Sequence, residues 1–235
     1  MISVCMATRN GAIFIREQLD SILPQLNQED EIVISDDCST DDTLTVIRSF
    51  QDPRIRLFES RSERGITRNF EASLKASKGE FIFLADQDDV WLPGKVKKME
   101  KALKDYDLVM SDCQLVDDNL RVQRHSFYDL NKSGKGFFKN LIKNSYMGCC
   151  MAFNRRIRER ALPFPSDIPM HDFWIGLIAE IYFSVYFMPE ILVLHRRHDS
   201  NASTSGDPSQ LTINQKLAHR YRIVKNLFIH KYYAG

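Results

Sequence analysis

With 235 residues, 43% of them hydrophobic, the chain is long enough for one large α/β domain or two fused halves, and its net charge of +1 gives no reason to expect a nucleic-acid partner. Its longest apolar runs, such as residues 81–85, are strand-sized rather than membrane-spanning, and residues 1–4 enter an apolar stretch without the basic region or cleavage site of a signal peptide. Five cysteines, an odd count with no CxxC pair, argue against a disulfide framework and predict a reducing, cytoplasmic setting.

Residues 2–7 predict a first strand, and Ile15, Leu19, Ile22 and Leu26 then follow at helical spacing. Residues 31–35, around Ile32-Val33-Ile34, predict a second buried strand. Ser39 with Asp42 three residues on resembles a capping box that opens a helix through Leu44, Ile47 and Phe50. Residues 55–59 predict a third strand; Phe70, Leu74 and Ala76 predict a helix; residues 80–85 predict an apolar strand ending in acids. Pro93 sits near the start of a helix carrying Val96, Met99 and Leu103. Strands alternating with helices argue for a mainly parallel sheet with helices on both faces.

The second half is less regular. Residues 108–116 read as a strand, with Asp117-Asp118-Asn119 as the turn of a hairpin into residues 120–123. Residues 148–153 predict a strand, 173–182 a helix, and 184–194 an apolar strand interrupted by Pro189. No acid follows Asp207, while Lys216, Arg220, Arg222, Lys225 and Lys231 accumulate beside Leu217, Ile223, Leu227 and Phe228. This predicts a basic amphipathic helix over residues 206–235.

Ligands of parallel sheets collect beyond the carboxyl ends of the strands. Asp36-Asp37, Asp86-Gln87-Asp88-Asp89 and Asp112 all follow predicted strand segments. Acids at one sheet edge repel each other unless a cation neutralises them, and oxygen ligands favour Mg2+ or Mn2+. Aspartate is also common in turns, where it caps backbone amides, and for Asp36-Asp37 taken alone both readings stand.

Val33-Ile34-Ser35-Asp36-Asp37-Cys38-Ser39-Thr40-Asp41 resembles the VDDGSTD signature of the inverting family-two glycosyltransferases, with Cys38 where Gly is usual. Asp86-Gln87-Asp88 resembles their DxD motif. The longer phrase Ala85-Asp86-Gln87-Asp88-Asp89-Val90-Trp91 is similar to the subset that includes bacterial rhamnosyltransferases. Gly65-Ile66-Thr67-Arg68-Asn69-Phe70 matches the segment that usually precedes the DxD strand. The resemblance covers about residues 1–200 and implies a GT-A, Rossmann-like α/β fold. It implies one catalytic domain over residues 1–205, with a nucleotide-sugar half (1–105) and an acceptor half (106–205), followed by the C-terminal helix.

The resemblance also implies site roles. Ala7, Thr8, Arg9 and Asn10 lie where the first strand meets the nucleotide, with Arg9 in place of a frequent Tyr; Gly65 and Gln87 join the same wall. Asp37 corresponds to a base-contacting carboxylate, Asp36 supports its loop, and Asp86 matches a ribose contact. Asp88 matches the carboxylate that holds a divalent metal, Mn2+ or Mg2+, against the donor diphosphate, where a cation offsets the charge of the leaving group. Arg68 is a candidate second cationic contact, beside the plainer reading of a solvated helix arginine.

His171-Asp172-Phe173-Trp174 resembles the HD-W-W form of the family's downstream motif, whose Asp is the catalytic base. A carboxylate beside Phe173 and Trp174 would be partly desolvated, which raises its proton affinity. The competing reading is that Asp172 caps a helix beginning at Phe173 while His171 fills space. With a single base and no nucleophile opposite, direct displacement with inversion is what the resemblance implies. His195-Arg196-Arg197-His198-Asp199-Ser200-Asn201 resembles a YRQHxxN phrase of the same subset, with His195 in place of Tyr. That implies His198 as a metal ligand or diphosphate contact, and Arg196 and Arg197 as reaching the phosphates. Asn144-Ser145-Tyr146-Met147-Gly148-Cys149-Cys150 resembles a GC loop on the acceptor side, where Gly148, His171 and Trp174 are expected; a buried strand of small residues is the simpler reading for the two cysteines.

The implied function is transfer of a sugar from dTDP-rhamnose or a UDP-sugar to a hydroxyl of a glycan or lipid-linked glycan acceptor, in bacterial surface-polysaccharide assembly. The C-terminal helix adds an expected peripheral contact with the inner face of the membrane. A dehydrogenase would need GxGxxG after the first strand, which Thr8-Arg9-Asn10-Gly11 does not supply, and Ser133-Gly134-Lys135-Gly136 lacks the Ser or Thr of a P-loop. The rival from another class is a non-catalytic sugar-nucleotide-binding or scaffold protein.

Overall fold

The computed structural model describes residues 1–60, 62, 65–198 and 212–233. Strand and helix alternate from the start: β1 (Ile2–Thr8), α1 (Ile15–Ile22), β2 (Glu31–Asp36), α2 (Thr43–Ser49), β3 (Ile55–Glu59), α3 (Ile66–Ala76), β4 (Phe81–Asp86), β5 (Val90–Trp91) and α4 (Lys95–Ala102). Then come β6 (Leu108–Val116), β7 (Val122–Arg124), α5 (Phe127–Asn131), α6 (Phe137–Ile142), β8 (Met151–Asn154), α7 (Arg155–Ala161), α8 (His171–Tyr182), β9 (Val185–Arg196) and α9 (Ile213–Tyr233).

The described strands form one sheet in the order β3-β2-β1-β4-β8-β6-β9-β5, with β7 against β6. β1 runs parallel to β2 and β4, β2 to β3, and β6 to β9, so the long ladders are parallel. β8 is antiparallel to both β4 and β6 and joins the two halves of the sheet. The fold is therefore mixed α/β with a mainly parallel sheet. β2 is buried throughout and β1 at all but one position, as strands covered on both faces must be. That is why they carry consecutive apolar residues, Val4-Cys5-Met6-Ala7 and Ile32-Val33-Ile34, rather than alternating ones. α1 buries Ile15, Leu19 and Ile22 at helical spacing, and α3 packs against β1 and β2. α3 opens from Gly65, whose φ of 77° is a backbone that side chains with a Cβ rarely adopt.

Several expectations need correction. The capping box at Ser39 does not form: Ser39 Oγ donates to Asp36 Oδ1 at 2.6 Å, and α2 starts later, from Asp42, without a side-chain cap. Asp112 does not end a strand; β6 runs through it to Val116, and its carboxylate accepts Ser126 Oγ (2.5 Å) and the Tyr128 amide (3.0 Å). The strand expected from residue 148 begins at Met151, after a tight turn over Gly148–Cys150. β9 continues through Pro189, but its ladder with β6 is interrupted there as expected: Ser111 pairs with Met188 and Asp112 with Ile191, so Pro189 and Glu190 are passed over. All five cysteines are free thiols.

Lys95, wholly buried at the start of α4, fixes the Gly148–Cys150 turn to the sheet. Its Nζ donates to the Cys149 carbonyl at 2.6 Å and lies 4.4 Å from the centre of the Trp91 ring. The tail forms the expected helix in α9, with Ile223 and Leu227 buried against the domain but Leu217 and Phe228 facing outward. Residues 206–211 and the side chain of Lys231 lie outside the described residues. No helix among the described residues is long and apolar enough to cross a membrane.

Candidate functional site

The parallel register sets Thr8 beside Asp36 and Ala7 beside Asp86, so the carboxyl ends of β1, β2 and β4 share one edge. A cavity of about 350 Å³ opens there. One wall is Ala7, Thr8, Arg9, Asp37, Gly65, Asn69, Asp86, Gln87 and Asp88; the other is Gly148, His171, Asp172 and His195. The two halves of the chain thus face each other across one pocket.

The loops of the first wall are held by their own polar groups. Asp36 is buried and accepts Thr8 Oγ1 at 2.9 Å and the Ser39 amide at 2.8 Å. Asn10, at φ 48°, accepts the Thr40 amide at 2.8 Å. Neither residue lines the cavity; both brace the loops that do. Asp37 Oδ2 accepts the Gly65 amide at 2.9 Å, which ties the β2 loop to the start of α3. Gln87 clamps the Arg9 backbone from both sides, accepting its amide at 2.9 Å and donating to its carbonyl at 3.0 Å.

The acids after β4 point in different directions. Burial, with Asp89 and Asp88 close by, pushes the Asp86 carboxyl well above its usual range. Asp89 is fully buried, with Oδ1 2.9 Å from His195 Nδ1 and accepting the Arg196 amide at 3.0 Å. Burial alone would lower the His195 imidazole, but the Asp89 carboxylate outweighs it and lifts it to about 9. Asp88 Oδ2 lies 2.8 Å from His198 Nε2, and that contact raises His198.

Two groups invite a cation. Asp86, Asp89, Cys149 and His195 bring one ligand atom each to within 4.8 Å of one another. That set includes a buried thiol with raised proton affinity, a donor that suits Mn2+ or Mg2+ poorly. Asp88 with His198 offers one oxygen and one nitrogen beside the raised Asp86, a charge surplus that a divalent cation would relieve. These residues fit a hard or borderline metal better.

Across the cavity, Asp172 lies in the first turn of α8. Its Oδ1 accepts the Phe173 amide at 2.6 Å and its Oδ2 the Gly148 amide at 3.2 Å. Burial still dominates and pushes its carboxyl up to about 6. His171 stacks on Phe70 with ring centres 4.0 Å apart, and burial lowers it to about 3, so it is neutral. A Cβ on residue 148 would meet His171 Nε2 at 3.1 Å, which is why a glycine suits that wall.

Besides Asn10 and Asp36, five expected site residues are not among those lining the cavity: Arg68, Trp174, Arg196, Arg197 and His198, the last of which instead contacts Asp88 of the wall. Arg68 pairs with Glu71 and donates to the Phe164 carbonyl at 2.9 Å. Arg196 is buried: it donates to the carbonyls of Asp88 and Asp118, pairs with Glu17, and lies 4.6 Å from the centre of the Phe14 ring. It supports the acid loop from behind rather than reaching a phosphate. Arg197 gives its amide to the Val116 carbonyl at 2.8 Å. Trp174 is fully buried and donates to the Ala161 carbonyl at 2.9 Å, so it packs α8 against α7. Asp199, Ser200 and Asn201 lie outside the described residues.

The sequence reading missed His195 and Asn69 as cavity residues. His195 had a usable signal: the only acid of the DQDD run left without an expected role, Asp89, needed a buried cationic partner. Asn69 Oδ1, both ring nitrogens of His171 and His195 Nε2 are buried with no hydrogen-bond partner among the described residues. Such orphaned groups around one cavity are the mark of a ligand site.

Residues 3–162 match the family described as Glycosyl transferase family 2. The putative teichuronic acid biosynthesis glycosyltransferase TuaG of Bacillus subtilis (strain 168) is 25% identical over 220 residues, 87% of this chain and 82% of TuaG. The dTDP-rhamnosyl transferase RfbG of Shigella flexneri is 28% identical over 224 residues, 83% of this chain and 72% of RfbG. The crystal structure of S. aureus TarS 1–349 in complex with UDP-GlcNAc gives a TM-score of 0.74 at 16% identity, over 97% of this chain and 66% of that one. Mannosyltransferase PcManGT from Pyrobaculum calidifontis, in complex with GDP-Man and Mn2+, gives 0.65 at 23% identity, over 85% of this chain and 58% of that one. At such identities the likeness to solved structures is one of fold, and that fold is GT-A.

Proposed function

The chain belongs to glycosyl transferase family 2, and from that premise we propose that it moves one sugar from a nucleoside-diphosphate sugar to a hydroxyl of a glycan or lipid-linked glycan, with inversion at the anomeric carbon. The observation that carries this reading is the single cavity with Asp37, Asp86 and Asp88 on one wall and the raised Asp172 on the other.

Asp37 and the Ala7-Thr8-Arg9 segment hold the nucleoside, and Asp86 takes the ribose. Asp88 and His198 are the residues that would hold a divalent cation, which when bound would offset the charge of the leaving nucleoside diphosphate. Asp172 takes the proton of the acceptor hydroxyl as that oxygen attacks C1 and the bond from C1 to the diphosphate breaks. Its two amide contacts leave further lone pairs on both oxygens, so holding the α8 start does not preclude this role. His171, neutral beside it, orients the acceptor with the Gly148 backbone. For the donor, dTDP-rhamnose and UDP-sugars are favoured: RfbG is by name a dTDP-rhamnosyl transferase, and TarS was crystallised with UDP-GlcNAc. TuaG's name supports a place in bacterial surface-polysaccharide assembly.

Thermal-shift titration with a panel of nucleotide sugars, with and without Mn2+, tests the reading. At least one donor should stabilise the protein only with metal, and Asp88→Ala should abolish that response. No metal-dependent response to any sugar nucleotide would overturn the proposal in favour of a scaffold protein.

A further inference from the structure

α9 carries two apolar stripes, and the fold uses one of them. Ile223 and Leu227 are buried against the domain, and Asn226 donates to Asp167 Oδ1 at 2.6 Å in the segment ahead of α8. Leu217, Tyr221 and Val224, spaced four and three residues apart, form a second stripe that faces outward, with Tyr221 70% exposed. α6 extends this surface. The Arg220 guanidinium donates to the Ile142 carbonyl, and Phe138 and Ile142, one helical turn apart, are 77% and 69% exposed. Large apolar side chains clustered on two adjoining helices go beyond the scatter of single exposed hydrophobics normal on a monomer.

The two segments that build this face carry charge of one sign, although Asp167 and Glu180 brace them from the domain side. No acid occurs between Leu130 and Arg158 or anywhere after Asp207, while Lys139, Arg222 and Lys225 are exposed there. We infer that the joined face of α6 and α9 docks on a lipid surface bearing anionic headgroups, its apolar side chains entering the headgroup boundary and its cations meeting lipid phosphates. A second copy of the chain is a poor occupant, because pairing this face with itself would bring two sets of exposed cations, Lys139, Arg222 and Lys225, together. The face adjoins the Asp172 side of the cavity. Asp167, which anchors α9, lies three residues before Met170 in the cavity wall, and Glu180 of α8 accepts Gly136 and Asn140 of the α6 segment at 2.7 and 3.2 Å. Docking there sets the Asp172 side of the cavity near the bilayer, where a lipid-linked acceptor would be reached; only this last step rests on the proposed transfer reaction.

The test is co-sedimentation of the whole chain with vesicles of phosphatidylglycerol and phosphatidylcholine in equal parts, and with phosphatidylcholine alone. The chain should sediment with the anionic vesicles and partition about ten-fold more weakly onto neutral ones. The double variants Arg222→Glu/Lys225→Glu and Phe138→Ser/Tyr221→Ser should each weaken anionic binding by about ten-fold or more. These side chains are exposed, so the melting temperature and nucleotide-sugar binding should stay at wild-type values, which separates failed docking from a failed fold or a failed transferase reading. Wild type left in the supernatant with both vesicles, or equal sedimentation of wild type and variants, overturns the inference. So does self-association of the wild type, seen by ultracentrifugation and lost in Phe138→Ser/Tyr221→Ser, which would make a second copy the occupant.

Discussion

His198 Nε2 lies 2.8 Å from Asp88 Oδ2, a contact between residues 110 positions apart that joins the chain leaving β9 to the acid loop after β4. The His198 ring also stacks on Phe14 with centres 5.0 Å apart, so its position is set by packing as well as by charge. If this pair holds the metal, Asp88→Asn should lower Mn2+-dependent kcat/KM by about 10²-fold or more, roughly 3 kcal/mol of transition-state stabilisation. His198→Ala should lower it less and raise the Mn2+ concentration needed for half-maximal rate. Metal titrations of initial rate check both; a wild-type Mn2+ dependence in both variants would remove the pair from the metal site.

Asp172 gives a pH signature on activity and an opposite one on stability. As a base it must be ionised, so kcat/KM should fall about ten-fold per pH unit below its value of about 6. On stability, the folded carboxyl keeps a proton that the unfolded chain releases between 3.8 and about 6. Its ionisation therefore opposes folding at neutral pH and has no effect below the unfolded value. Asp172→Asn should stabilise the protein at neutral pH by on the order of 1–2 kcal/mol, with the gain fading toward about pH 4. Denaturant unfolding at both pH values measures this, and a gain independent of pH would contradict the burial of Asp172.

Gly176, in the middle of α8, has no room for a methyl group. A Cβ there would overlap the Tyr146 ring at Cδ2, and the ring is pinned because its hydroxyl donates to Glu180 Oε1 at 2.8 Å. Gly176→Ala should destabilise the fold by on the order of 3 kcal/mol, despite the better helix propensity of alanine. An unchanged melting temperature would mean that Tyr146 moves aside freely.

The first half of the fold was legible because its central strands are covered on both faces and so carry consecutive apolar residues, as in Ile32-Val33-Ile34; β3, a half-exposed edge strand, was still read to its observed ends. The short helices α5, α6 and α7 were not read, since helices of five to seven residues draw their stability from packing rather than from local signal. In the site, the raised proton affinity of Asp172 was expected, but from the wrong neighbours: Trp174 turns away to Ala161, and the burial comes with Gly148 and His171 alongside. Arg196 looked like a phosphate ligand because no local feature reveals partners as distant in sequence as Glu17 and Asp88. Ser39 failed as a cap for the same kind of reason, since Asp36 and Asn10 had already engaged its hydroxyl.

The most direct test of the central claim is release of free nucleoside diphosphate from dTDP-rhamnose and a panel of UDP-sugars, with Mn2+ and a lipid-linked glycan acceptor, by wild type and Asp172→Asn. Acceptor-dependent release is expected from the wild type, with a loss of about 10²–10⁴-fold in Asp172→Asn and donor affinity retained in calorimetry. Wild-type turnover by Asp172→Asn would contradict the assignment of the base, and donor binding without turnover in the wild type would contradict the transferase reading itself.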